Sequence, residues 1–150
     1  MLRAHRGALA AEGPTIAVLA CGADVSYPSS NARLFDRIVD GGLVVSELPP
    51  GAAPTKNRFL LRNRLIAAVS RGVVVVEAAQ RSGALVAAEW APSCGRALMA
   101  VPGPVTSRQS VGCHGLIRSG GTLVADVSDI LQAIEILAEV PAAAVAGAGA

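Results

Sequence analysis

Five short apolar runs recur along the chain, at residues 15–20, 43–45, 73–76, 97–101 and 122–124, and each has a helix-like segment after it. This alternation constrains the fold more than any other feature. Strands interleaved with helices make βαβ units, and βαβ units build a parallel sheet. Helices are expected near residues 30–40, 59–70, 83–94, 112–119 and 127–139, with a first one over residues 3–11. Right-handed crossovers bring the C-terminal strand ends to one edge, where open α/β sheets take their ligands. Aromatic residues make up only 3% of the chain, so the core must be Val, Leu, Ile and Ala. That palette suits strands buried on both faces.

The length of 150 residues fits one ordinary domain. A doubly wound domain normally opens on a strand and a Gly-rich turn, whereas this chain opens on a helix. The expectation is therefore a partial domain over residues 1–139, lacking its first strand and Gly-rich loop. The tail at 140–150, nearly all Ala and Gly, is expected to be disordered. No run reaches the ~18 apolar residues of a membrane span. The start, Met1 to Arg6, is followed by no long apolar run and is not a secretory signal. Cys21, Cys94 and Cys113 are odd in number and widely spaced, with no CxxC pair. They read as reduced cytoplasmic thiols, small and buried, and not as disulfides or metal ligands. No metal or other cofactor is expected.

Charge is distributed unevenly. Residues 56–118 hold nine basic side chains against Glu77 and Glu89, a local +7 in a chain whose net charge is +2. Eight of the nine are Arg, the side chain that forks onto phosphate and stacks on bases. An anionic partner and a merely solvated basic face are both compatible with this asymmetry.

Four segments at strand ends hold chemically useful groups. Cys21, Gly22, Ala23 and Asp24 precede Tyr27 and Pro28. Here Asp24 can accept a sugar hydroxyl or a donor from the loop, and Tyr27 can stack; the alternative is a Pro-fixed turn with Ser29, Ser30 or Asn31 capping the next helix. The densest segment runs from Ser46 through Pro54 to Lys56, Arg58, Phe59, Arg62, Asn63 and Arg64. A cation three residues from a ring at a helix entrance suits single-strand binding, in which charge tracks the backbone and a ring stacks a base. Equally, Phe59 can staple its helix to the core while the Arg residues face solvent. At residues 77–84, Arg81, Ser82 and Gly83 open a helix after a strand, as a phosphate cradle or as an ordinary capped βα loop. Finally, Pro102, Gly103 and Pro104 precede a helix carrying His114, a lone histidine more in keeping with a structural role than a ligand contact. No GxSxG, HExxH or Walker motif occurs.

Taken together, AHRGAL (4–9), CGADVSYPSSN (21–31), SELPPG (46–51), KNRFLLRNRLIAA (56–68), VVVEAAQRSGALVAAEWA (74–91), AVPGP (100–104) and SVGCHGLIRSGG (110–121) resemble the DNA-processing protein A family, DprA or Smf. The resemblance spans roughly residues 3–134, in the family's order and spacing. It implies an α/β, Rossmann-like fold, a mostly parallel sheet flanked by helices. It also implies single-stranded DNA binding without catalysis, in the cytoplasm, during transformation and recombination. RecA and a second copy of the chain are the implied protein partners. By resemblance Lys56 meets the DNA backbone, Phe59 stacks a base, and Arg62, Asn63 and Arg64 line the same pocket. The Ser-Gly turn maps to Ser82 and Gly83, beside Arg81. Two positions depart from the pattern: Leu60 stands where Pro is usual, and His114 where Asn is usual.

Two other readings stay open at this point. One is a LOG-like nucleotide phosphoribohydrolase, although EAAQRSGALVAAE lacks the glycine run of those enzymes. The other is a non-functional truncated remnant.

Overall fold

The computed structural model describes residues 2–139, with side chains to Glu135. The tail expected at 140–150 lies outside the described residues. In chain order the elements are α1 (Leu2–Ala10), β1 (Ile16–Val18), a 3-10 turn (Ser29–Asn31), α2 (Ala32–Gly41), β2 (Leu43–Val45), α3 (Lys56–Val69), β3 (Gly72–Val75), α4 (Gly83–Ser93), β4 (Ala97–Ala100), α5 (Val111–Arg118), β5 (Thr122–Leu123) and α6 (Val127–Glu139). Every expected strand and helix forms. The chain divides into two compact units between Arg62 and Asn63, a point inside α3.

In the first unit β1 and β2 pair in parallel, with Ile16 opposite Leu43 and Val18 opposite Val45. Parallel strands need a crossover, and α2 provides it. Its Leu34 and Ile38, one turn apart, close over Ala17, with Leu9 of α1 and Val44 packed alongside.

The second unit shows how short Val-rich strands become buried on both sides. β3, β4 and β5 lie side by side in that order, all parallel. Side chains alternate between faces with period two. Val73, Val75, Leu98 and Ala100 therefore meet Leu85 and Ala88 of α4 and Cys113 and Leu116 of α5. Val74, Ala97 and Met99 point the other way, to Val124 and to Ile130, Ala133 and Ile134 of α6. A parallel sheet flanked by helices is the Rossmann-like arrangement expected from the alternation.

Two local details differ from the sequence reading. α3 starts at Lys56, three residues before the expected start at 59. Thr55 explains this: its hydroxyl accepts the Arg58 N–H at 3.3 Å and its carbonyl accepts the Phe59 N–H at 3.1 Å. A threonine oxygen at a helix entrance satisfies donors that the helix cannot. The other detail concerns α2. Asn31 stands at its N-cap position but makes no side-chain cap bond, and neither serine supplies one. The 3-10 turn already serves the backbone there, through Asn31 N–H to the Pro28 carbonyl at 2.9 Å and Ala32 N–H to the Ser29 carbonyl.

Cys21 and Cys113 are buried, and burial pushes both thiols above the usual cysteine value. Cys94 is only partly buried. No helix among the described residues is long and apolar enough to cross a membrane.

Candidate nucleic-acid interface

The site is best built from the loops that follow β1 and β2. Gly22 sits where a Cβ would lie 2.5 Å from the Asp24 carboxylate, 2.8 Å from the Pro49 carbonyl and 2.9 Å from the Gly51 nitrogen. Only glycine fits such an approach. Its N–H donates to the Ala52 carbonyl at 2.9 Å. Both oxygens of Asp24 accept the Gly51 N–H, at 2.9 and 3.0 Å. Of the two roles open to Asp24, the loop donor is the one seen. Gly51 itself has φ +75°, a left-handed conformation suited to glycine. Ser46 completes the bracing by donating its hydroxyl to the Cys21 carbonyl at 2.7 Å and accepting the Leu48 N–H at 3.0 Å.

α3 leaves this braced loop with a basic first turn. Lys56 is exposed. Arg58 donates to the Ala53 carbonyl. No acidic residue lies in the first turn. One turn on, Phe59 is 36% exposed and belongs to none of the buried clusters among the described residues. Its centroid lies 5.9 Å from that of Tyr27, with 47° between the ring planes. The Arg62 guanidinium carbon stands 5.6 Å from the Phe59 centroid, within cation–π range. Arg62 is only 9% exposed and donates to the Val18 carbonyl. Burial pulls its pKa below the usual arginine value, yet a guanidinium stays charged inside a protein. Its charge is thus fixed beneath the ring and does not wave in solvent.

The remaining predicted residues belong to the second unit. Asn63 is buried and reaches the Gly83 carbonyl at 3.4 Å through its amide nitrogen. Arg64 follows it on α3, half-buried. Ser82 caps α4, its hydroxyl accepting the Ala84 N–H at 3.3 Å. Gly83 and Arg81 are exposed beside it. Losing such a cap typically destabilises by ~1 kcal/mol. Ser82→Ala is accordingly expected to lower the unfolding free energy of the purified chain by that amount in a urea or thermal melt, and an unchanged midpoint would remove the capping role.

His114 has a structural partner, donating Nε2–H to the Gly103 carbonyl at 2.9 Å. An open hollow of about 270 Å³ between α4 and α5, touched by Leu85, Glu89 and Arg118, contains none of the predicted site residues. No group of three or more His, Cys, Asp or Glu among the described residues can hold a metal ion. Sequence reasoning missed the burial of Arg62 and the meeting of Tyr27 with Phe59. The spacing of Phe59 and Arg62, three apart on one helix, was the available signal for the first.

The profile of the family "DNA recombination-mediator protein A" matches residues 2–135. DNA processing protein DprA of Streptococcus pneumoniae is 47% identical over 132 residues, covering 88% of this chain and 47% of that protein. A DprA relative in Mycobacterium tuberculosis is 52% identical over 136 residues, covering 91% of this chain and 35% of its own length. The chain therefore spans less than half the length of these curated relatives. Its fold is similar to the X-ray structure of DprA from Streptococcus pneumoniae, with a TM-score of 0.79, 46% identity, and coverage of 86% of this chain and 46% of that one. It is also similar to DNA processing protein A from Helicobacter pylori, a protein with a described single-stranded DNA binding mode. There the TM-score is 0.72 at 28% identity, over 83% of this chain and 56% of that one.

Proposed function

The chain belongs to the DNA recombination-mediator protein A family, and we propose that within it this segment grips single-stranded DNA through the start of α3. One observation carries the reading: an exposed Lys56 and an exposed Phe59 stand one turn apart on a helix entrance that holds no acid. The positive end of a helix dipole normally attracts acidic side chains, and a cation there is unfavourable by a few tenths of a kcal/mol or more. A phosphate placed between the free N–H groups and Lys56 reverses that sign. The ring of Phe59, on the same face, is then available to a base.

The other residues take roles that their surroundings support. Arg62 positions Phe59 from beneath and adds fixed positive charge. Asn63 holds the Gly83 carbonyl and so steadies the start of α4, where Ser82, Gly83 and exposed Arg81 offer a second helix entrance for a phosphate. Arg64 adds charge on α3. This is binding without catalysis, since a cation, a ring and helix entrances stabilise a strand and activate no nucleophile. Hand-over of the strand to RecA, pairing with a second copy and work in the cytoplasm during DNA uptake belong to the same proposal. Family membership supports them.

Titration of the purified, folded chain with fluorescent oligo-dT tests the reading. Binding is expected at low salt, and log K is expected to fall linearly with log[salt] at a slope of about −0.7 per phosphate contacted. A cooperatively melting sample that binds no oligonucleotide at low salt would overturn it.

A further inference from the structure

Beside Phe59 stands a second exposed aromatic side chain. Tyr27 is 56% exposed, in the loop after β1. Its ring centre is 5.9 Å from that of Phe59. A tyrosine that serves only to pack hides its ring, whereas this one leaves more than half of its surface exposed beside Phe59. Phe59 cannot easily yield to it, because Arg62 stands beneath Phe59, tied to the Val18 carbonyl. The loop bearing Tyr27 is braced as well, by the Asp24 bond to Gly51 and the Ser46 bond to Cys21. The result is a pair of neighbouring rings held in place before any ligand arrives, and preorganisation of this kind reduces the ordering cost of binding.

The separation of the rings carries information. Bases of a duplex strand follow one another at about 3.4 Å, stacked face to face. Rings 5.9 Å apart and tilted by 47° cannot both lie on bases spaced that way. They can serve two successive bases only if the strand is stretched and unstacked. We propose that Tyr27 is a second base platform, so that Tyr27 and Phe59 take neighbouring nucleotides of an extended single strand. The inference rests on Phe59 being a nucleic-acid contact, and it adds a residue and a strand geometry to that reading.

Two measurements test it. The first is affinity of the full chain for a short labelled oligo-dT, for the wild type, Phe59→Ala, Tyr27→Leu and Tyr27→Trp. Leucine keeps an apolar neighbour for Phe59 but has no aromatic face. Tyr27→Leu is expected to weaken binding about tenfold, the worth of one stacked base, while Tyr27→Trp binds at least as well as wild type. If Tyr27→Leu binds like wild type while Phe59→Ala is weakened, the second platform is overturned and the Phe59 contact stands. If neither substitution weakens binding, or the wild type does not bind, both fall. The second measurement is photo-crosslinking of wild-type protein to an oligonucleotide carrying 5-iododeoxyuridine at adjacent positions, with adducts located by mass spectrometry. Adducts on both Tyr27 and Phe59 support the proposal even if Tyr27→Leu fails to fold. Adducts on Phe59 without Tyr27 overturn it.

Discussion

Met99→Ala is expected to destabilise the second unit by about 2–5 kcal/mol, the range for truncating a buried Met or Leu. Met99 lies on β4, the middle strand of β3, β4 and β5, and is 0% exposed. It is among the largest fully buried side chains of the described residues, beside Val124 and Cys113. Its own cluster holds Ala97 and Val124, with Val74, Val101, Ile130, Ala133 and Ile134 packed against them, while elsewhere many fully buried positions are alanines, with Ala67, Ala88, Ala91 and Ala100 at 0%. A core of alanines gains little per residue, so the few large side chains carry a disproportionate share of the burial. Its sulfur-bearing end reaches across to β3, where a Cβ at Gly72 would lie 2.5 Å from the Met99 Cε. Truncation leaves a void between the sheet and α6 that these neighbours cannot fill without moving backbone. Urea or thermal melts of wild type and variant measure the loss. Leu131→Ala on the exposed side of α6, where the side chain is 55% accessible, is the control and should shift the midpoint much less. Equal midpoints for Met99→Ala and wild type would mean that α6 does not close this face.

The alternation of apolar runs with helical segments made most of this fold legible in the sequence. Val73 to Val76 reads as a strand because four β-branched residues in a row suit burial on both faces, and β3 does divide Val73 and Val75 from Val74 between two cores. What escaped was set by single hydrogen bonds or by long-range meetings. Hydrophobic periodicity does not register Thr55, so the first turn of α3 was missed at its entrance. Charge counting treats every arginine alike, so Arg62 counted as surface charge although it is buried on the Val18 carbonyl. Lys56 and Phe59 were visible because their spacing is local to one helix. Tyr27 and Phe59 meet across a long stretch of sequence, and neither spacing nor periodicity connects them. For His114 the lone-histidine argument was enough, and the Gly103 carbonyl is its partner.

Phe59→Ala is expected to lower affinity for oligo-dT by about 1–3 kcal/mol, the range for removing one base-stacking ring. The variant should still fold, because Phe59 is 36% exposed and belongs to no buried cluster among the described residues. The two effects can be separated by a melt and a titration on the same sample. A large drop in the melt would return Phe59 to the staple role considered from the sequence. Lys56→Glu addresses the other half of the same turn. It places a carboxylate where a phosphate is expected, and should weaken every oligonucleotide alike while reducing the salt slope by about one contact. Arg96 is the informative contrast. It lies in the same basic stretch, but its guanidinium donates to the Ala68 carbonyl at 2.8 Å. Arg96→Gln should therefore cost stability and leave the salt slope nearly unchanged. If charge in this stretch acted only as a diffuse basic field, Lys56→Gln and Arg96→Gln, each removing one charge, would weaken binding equally. If the start of α3 is a defined site, Lys56 must matter more, and Phe59 must matter at salt concentrations where the electrostatic contribution has faded.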